Sequence, residues 1–140
     1  MKVLIDTNVV LDIMLNRVPF YTSSADVYAL AVNNAITGFI SASAITDIFF
    51  IAKGTLGKKP TKEVLKNLLS VFKPATVTDK NIFKALDLDW EDFEDSVQFI
   101  IGEELEVDYI VTRNIQDFAS SSISAVTPDI FLQIVADIEM

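Results

Sequence analysis

Apolar and polar positions follow two periods along this chain, one suited to strands and one to helices. Val3, Leu4 and Ile5 are apolar without a break, the pattern of a central strand covered by helices on both faces. Asp6 ends that run, and Asn8 opens a helical pattern continued by Val9, Val10, Leu11, Ile13, Met14 and Leu15. Pro19 breaks the chain between Arg17 and Phe20. Thr22 or Ser23 stands as cap for a second helix, from Ala25 to Val32. Thr37 to Ser41 forms a second strand, and Ser43 caps a helix from Ala44 to Lys53, stopped by Gly54 and Gly57. A fourth helix starts at Pro60 or Thr61 and carries Val64, Leu65, Leu68, Leu69 and Phe72 on its stripe.

Pro74 to Thr78 gives a third short strand, and Thr78 or Asp79 caps a short helix ending near Leu88. Asp89 is the expected cap of a longer helix in which Phe93, Val97, Ile100, Ile101 and Leu105 are spaced for burial. Tyr109 to Thr112 is the fourth strand, Asn114 to Phe118 a turn, and Ala125-Val126 a fifth strand. Thr127-Pro128-Asp129 starts a last helix through Ile130, Phe131, Ile134 and Val135. Strands alternating with helices imply right-handed crossovers. The expected fold is one α/β domain over residues 1–140, a three-layer αβα arrangement around a mostly parallel sheet of about five strands.

Composition narrows the chemistry. Cysteine and histidine are both absent, which excludes thiol catalysis, thiolate metal sites and the commonest general base. Any metal site must therefore use oxygen ligands, which points to Mg²⁺ or Mn²⁺. Apolar runs stop short of the roughly 18 to 20 residues a membrane span needs, and Asp6 interrupts the only signal-peptide candidate, so no membrane and a cytoplasmic location are expected. The net charge of −9 argues against a broad basic grip on nucleic acid. Six of the eleven basic residues nevertheless lie between Lys53 and Lys73, which leaves room for a local basic patch.

Four polar features interrupt the apolar framework. Asp6 stands at the carboxyl end of the first strand, where open α/β sheets bind ligands, although an aspartate there also serves as a helix cap. Asp47 is the only charge between Ala44 and Ala52 and is expected to be partly buried; the alternative is a narrow solvent stripe near the helix start. Asp92 and Asp95 share a face of an acidic helix start, where acids are also common for the helix dipole alone. Thr112, Arg113, Asn114 and Asp117 follow the fourth strand, in a stretch that equally fits an ordinary turn. In a parallel sheet these features gather at one edge. Carboxylates gathered there would repel one another, so a divalent cation is the natural occupant and phosphodiester hydrolysis the chemistry it suits.

Taken together, Val3 to Asn8, Thr46-Asp47, Asp92 to Gln98 and Ile110 to Phe118 resemble the PIN-domain ribonucleases, in order and spacing along the whole chain. Many small members of that family are VapC-type toxins of type II toxin–antitoxin pairs, which cleave RNA until a cognate antitoxin binds. The resemblance implies a metal-dependent endoribonuclease with a carboxylate-bound Mg²⁺ or Mn²⁺ ion. By position it implies Asp6, Asp47, Asp95 and Asp117 as metal-holding catalytic acids, and Asn8, Thr112, Asn114 and Asp92 as supporting polar residues. Asp47 falls where the family more often has Glu, and Asn114 is neutral, leaving Asp117 to supply a fourth carboxylate.

RNA is the expected substrate, tethered by Lys53, Lys58, Lys59 and Lys62 with Arg113 beside the scissile phosphate; an antitoxin and a second copy of the chain are the expected partners. An aspartyl phosphatase would need a second acid where Asn8 stands. The alternative kept open is a catalytically silent module of the same fold that binds a protein or RNA.

Overall fold

The strand pattern becomes a five-stranded, wholly parallel sheet in the order β3-β2-β1-β4-β5. The computed structural model describes residues 1–139. Its strands are β1 (Lys2–Ile5), β2 (Thr37–Ser41), β3 (Lys73–Ala75), β4 (Tyr109–Val111) and β5 (Ser124–Val126). Its helices are α1 (Thr7–Met14), α2 (Tyr21–Val32), α3 (Ala42–Leu56), α4 (Lys58–Leu69), α5 (Asp79–Leu86), α6 (Phe93–Leu105) and α7 (Pro128–Glu139). No helix among the described residues is long and apolar enough to cross a membrane.

The three-layer arrangement follows from the first strand. Val3 and Ile5 join one core with residues of α1, α2, α3, α4 and α7, whereas Leu4 points into a second core with α5 and α6. All three side chains are fully buried. Full burial of each is worth about 1.5–3 kcal/mol, which is why β1 takes the central place. Register places Leu4 beside Phe39 on β2 and Ile110 on β4, so the carboxyl ends of β1 and β4 come out side by side.

Several boundaries differ from the pattern. The third helix runs through Gly54, where a side chain would meet nothing within 4 Å, and ends at Gly57, whose φ of 86° suits glycine. The fourth helix starts at Lys58, ahead of Pro60, and β3 covers only Lys73–Ala75. Asp92 rather than Asp89 caps α6, accepting from the Asp95 amide at 3.0 Å. Neither Thr22 nor Ser23 caps α2, which begins at Tyr21; Ser23 bonds Asp129 of α7 instead. Ser41 occupies the cap position of α3 without a side-chain cap bond, its hydroxyl meeting Ser43.

Candidate active site

Asp6 leaves β1 at its carboxyl edge, and its side chain caps α1. Its side chain is 6% exposed, and a charge so buried requires donors. It has four. Oδ1 accepts from the Thr7 amide at 2.7 Å and from Gln98 Nε2 at 3.0 Å. Oδ2 accepts from Thr112 Oγ1 at 2.7 Å and from Asn8 Nδ2 at 3.3 Å. The donors come from α1, α6 and the end of β4, so three elements fix one carboxylate. Thr112, fully buried, also accepts from the Asn114 amide at 3.0 Å, and Asn8 Oδ1 accepts from the Arg113 amide at 3.2 Å.

An open cleft of about 260 Å³ lies over Asp6. Asp92, Glu94, Asp95 and Asp117 reach its wall from α6 and the 3₁₀ turn at Ile115–Phe118, with Asn8 and Asn114 beside them. Burial, followed by repulsion from Asp6 and then from Asp92, Asp117 and Glu94, pushes Asp95 up to about 7. Glu94 is raised as well, first by burial; the Thr7 hydroxyl, donating at 3.0 Å, pulls the other way. Asp47 adds to the rise in Glu94 through a hydrogen bond and through repulsion. The sequence thus placed Asp6, Asp92, Asp95, Asp117, Asn8, Thr112 and Asn114 around one cleft or in direct contact with Asp6, and the structure brings these residues together.

Asp47 and the basic residues stand differently from the expectation. Asp47 is exposed rather than partly buried and does not line the cleft; it touches it only through Glu94. The third helix buries Ala44, Ile48 and Ala52, every fourth residue, and Asp47 falls to the side of that stripe. Lys53, Lys58, Lys59 and Lys62 are exposed and none lines the cleft, because α3 runs away from the carboxyl end of β2 and carries them to its far end and beyond. Arg113 does not point at the cleft either. Its Nε and Nη2 donate to the fully buried Asp12 at 2.6 and 3.2 Å, and Phe20 lies under its guanidinium at 4.0 Å. The cation on the cleft wall is Arg17, whose Nη1 is 3.7 Å from Asp12.

Glu94, Gln98, Thr7, Asp12 and Arg17 escaped the sequence reading. Gln98 stands between Val97 and Phe99 and Asp12 between Leu11 and Ile13, polar residues with apolar neighbours, a pattern that does not itself say whether the side chain is covered. Glu94 was masked by the acids around it.

The donor set fits a hard divalent cation, since every anionic group is a carboxylate and their mutual repulsion is what such an ion relieves. Among the described residues no three acids stand close enough to grip one ion jointly. Mg²⁺ tolerates this, being commonly held by one or two carboxylates with water and substrate phosphate completing its shell. Asp6 and Asp95 are the residues that would hold it.

Residues 2–116 match the family described as PIN domain, a span covering β1 through β4 and every acid of the cleft except Asp117. The chain belongs to the PIN domain family. Solved structures carry the same fold. One is a chain of VapBC2 from Rickettsia felis bound to a promoter DNA fragment, at TM-score 0.70 and 17% identity, covering 91% of this PIN domain chain and 98% of that one. Another is a toxin–antitoxin complex from Klebsiella pneumoniae, at TM-score 0.67 and 21% identity, with 90% and 97% covered. A third is VapBC-1 from nontypeable Haemophilus influenzae, at TM-score 0.67 and 13% identity, with 92% and 99% covered. No curated protein matches this chain.

Proposed function

We propose that this PIN domain is an endoribonuclease that uses Mg²⁺ or Mn²⁺ to hydrolyse RNA phosphodiester bonds, and that it is the toxin of a toxin–antitoxin pair acting in the cytoplasm. The observation that carries the reading is Asp6, a buried carboxylate held by four donors and facing an acid raised to about 7. Fixing a charged ligand this firmly is the work of a site that must present it in one orientation. In this reading Asp6 and Asp95 hold the ion, Thr112, Gln98 and Thr7 orient Asp6, and Arg17 meets the phosphate at the cleft mouth. The ion, when bound, supplies Lewis acidity to the phosphate and to an attacking water. Glu94 and Asp117 line the same cleft, where their carboxylates would accept a proton from an attacking water. The toxin reading is supported by the toxin–antitoxin complexes among the structures of the same fold. An antitoxin and a second copy of the chain are its partners in that reading.

A second reading, a catalytically silent module that binds RNA or protein, draws on the spread of the acids and on neutral Asn114. Incubating a structured RNA pool with Mg²⁺ or Mn²⁺, beside an EDTA control and an Asp6→Asn variant, separates the two. Metal-dependent products that disappear with Asp6→Asn are expected, a loss of at least about 100-fold. A folded protein that yields no products and takes up no Mn²⁺ by calorimetry would establish the silent module.

A further inference from the structure

Beside the carboxylate cleft lies a larger pocket, about 440 Å³, between the start of α2, the loop after β4 and the start of α7. Its size falls in the range of about 300–1,000 Å³ common to sites for small organic groups. The pocket shares Asn114 with the cleft, so a strand of RNA laid across the acids would enter both. One wall is the Phe20–Arg113 stack, with Phe20 40% exposed, and Pro128 supplies another apolar surface. Flat aromatic and guanidinium surfaces of this kind receive unstacked bases of single-stranded RNA. A phosphate is a poor fit. The Arg113 charge is already matched by Asp12, and the pocket carries a further carboxylate, Asp129.

Asp129 gives the pocket a preference. It projects from the first turn of α7, where Ser23 donates to its Oδ1 and holds it across the gap between α2 and α7. A carboxylate offers two acceptors side by side. Among the bases, the Watson–Crick edge of guanine answers with two adjacent donors, N1–H and the 2-amino group. The Asn114 side-chain amide, without a protein partner among the described residues, is free to meet a further polar atom of the same nucleotide.

We propose that this pocket binds the base of a nucleotide adjacent to the scissile phosphate and selects guanine through Asp129. The inference rests on the ribonuclease reading, and its test has a binding arm that does not need cleavage. In that arm, cleavage-dead Asp6→Asn protein in EDTA is titrated into labelled oligouridylates carrying one central guanosine, inosine, adenosine or uridine, read by fluorescence anisotropy. Guanosine is expected to bind about tenfold tighter than inosine, which lacks the 2-amino group, or uridine. Asp129→Asn added to that protein replaces one acceptor by a donor, so the preference should move from guanosine to adenosine; Phe20→Ala should weaken every oligonucleotide. In the cleavage arm, cuts by the wild-type protein should cluster beside guanines and lose that bias with Asp129→Asn.

Equal affinity for all four oligonucleotides, or a cut pattern that Asp129→Asn leaves unchanged, would overturn the proposal while leaving the nuclease intact; a pocket built for a side chain of a protein partner would give that result. Guanosine-dependent binding without any cleavage would uphold the pocket and count against the nuclease.

Discussion

At Asp95, burial and four neighbouring acids all favour the neutral form, and the consequence is a stability that depends on pH. Its ordinary value is 3.8 and its folded value about 7, so between these the folded chain binds the proton more readily than the unfolded chain. The contribution of Asp95 to stability is therefore present in full below about 3.8 and is lost as pH rises towards 7. Glu94 is shifted in the same direction. Urea unfolding of the metal-free protein from pH 4 to pH 8 should show the wild-type chain losing stability relative to Asp95→Asn, which has no proton to release. A difference that stays flat over this range would contradict the placement of Asp95 among ionised neighbours. Mn²⁺ should restore wild-type stability above pH 7 and leave Asp95→Asn largely unmoved, because a bound ion offsets the same repulsion and adds its own binding energy.

Among the elements, β2 shows how closely the sheet and its helices are fitted. A methyl group on Gly38 would stand 2.6 and 2.9 Å from ring atoms of Phe72, which is fully buried and packs edge-on to Tyr28 at 5.4 Å. The ring cannot retreat, so Gly38→Ala should cost about 1–3 kcal/mol, seen as a lower urea midpoint with an unchanged slope. A midpoint within error of the wild type would mean that the packing of Phe72, between α4 and β3, yields. The same packing explains what could be read in advance. The unbroken run Val3-Leu4-Ile5, the exact span of β2 and the capped start of α7 were legible because both faces of a strand, or one stripe of a helix, must be apolar for burial. Asp6 and Asp95 were legible because they sit at element ends, where the topology alone fixes the edge. Asp47 and Asp12 were not, for one reason. Each is a lone acid in an apolar helix, yet α3 leaves Phe50 and Ile51 exposed beside Asp47, whereas α1 is covered on the face of Asp12 by Arg113 and Arg17. An apolar helix does not say which of its faces is covered; only the neighbouring elements do.

For the whole molecule, the ribonuclease reading makes charge and its distribution decide how RNA would be held. Twenty acids against eleven bases repel a polyanion, and the four lysines expected to counter this are carried away from the cleft at the end of α3 and the start of α4. Of the two arginines nearest the acids, Arg113 is committed to Asp12, which leaves Arg17 as the cation at the cleft. Few phosphates are then neutralised when RNA binds. Each phosphate neutralised on a single strand contributes about 0.7 to the slope of log K against log salt, so a slope of magnitude about 1–2 is expected for the Asp6→Asn protein. Arg17→Ala should reduce that slope by about 0.7, and exchanging Lys58 and Lys59 together for Glu should change it little, in contrast to the tether that the charge pattern suggests. A slope of about 4 or more that collapses in the Lys58, Lys59 double variant would show that RNA extends along α4, and that the lysine stretch rather than the cleft supplies most of the affinity. A gentle slope would instead assign the affinity to base contacts, and such an interface keeps its grip as salt rises.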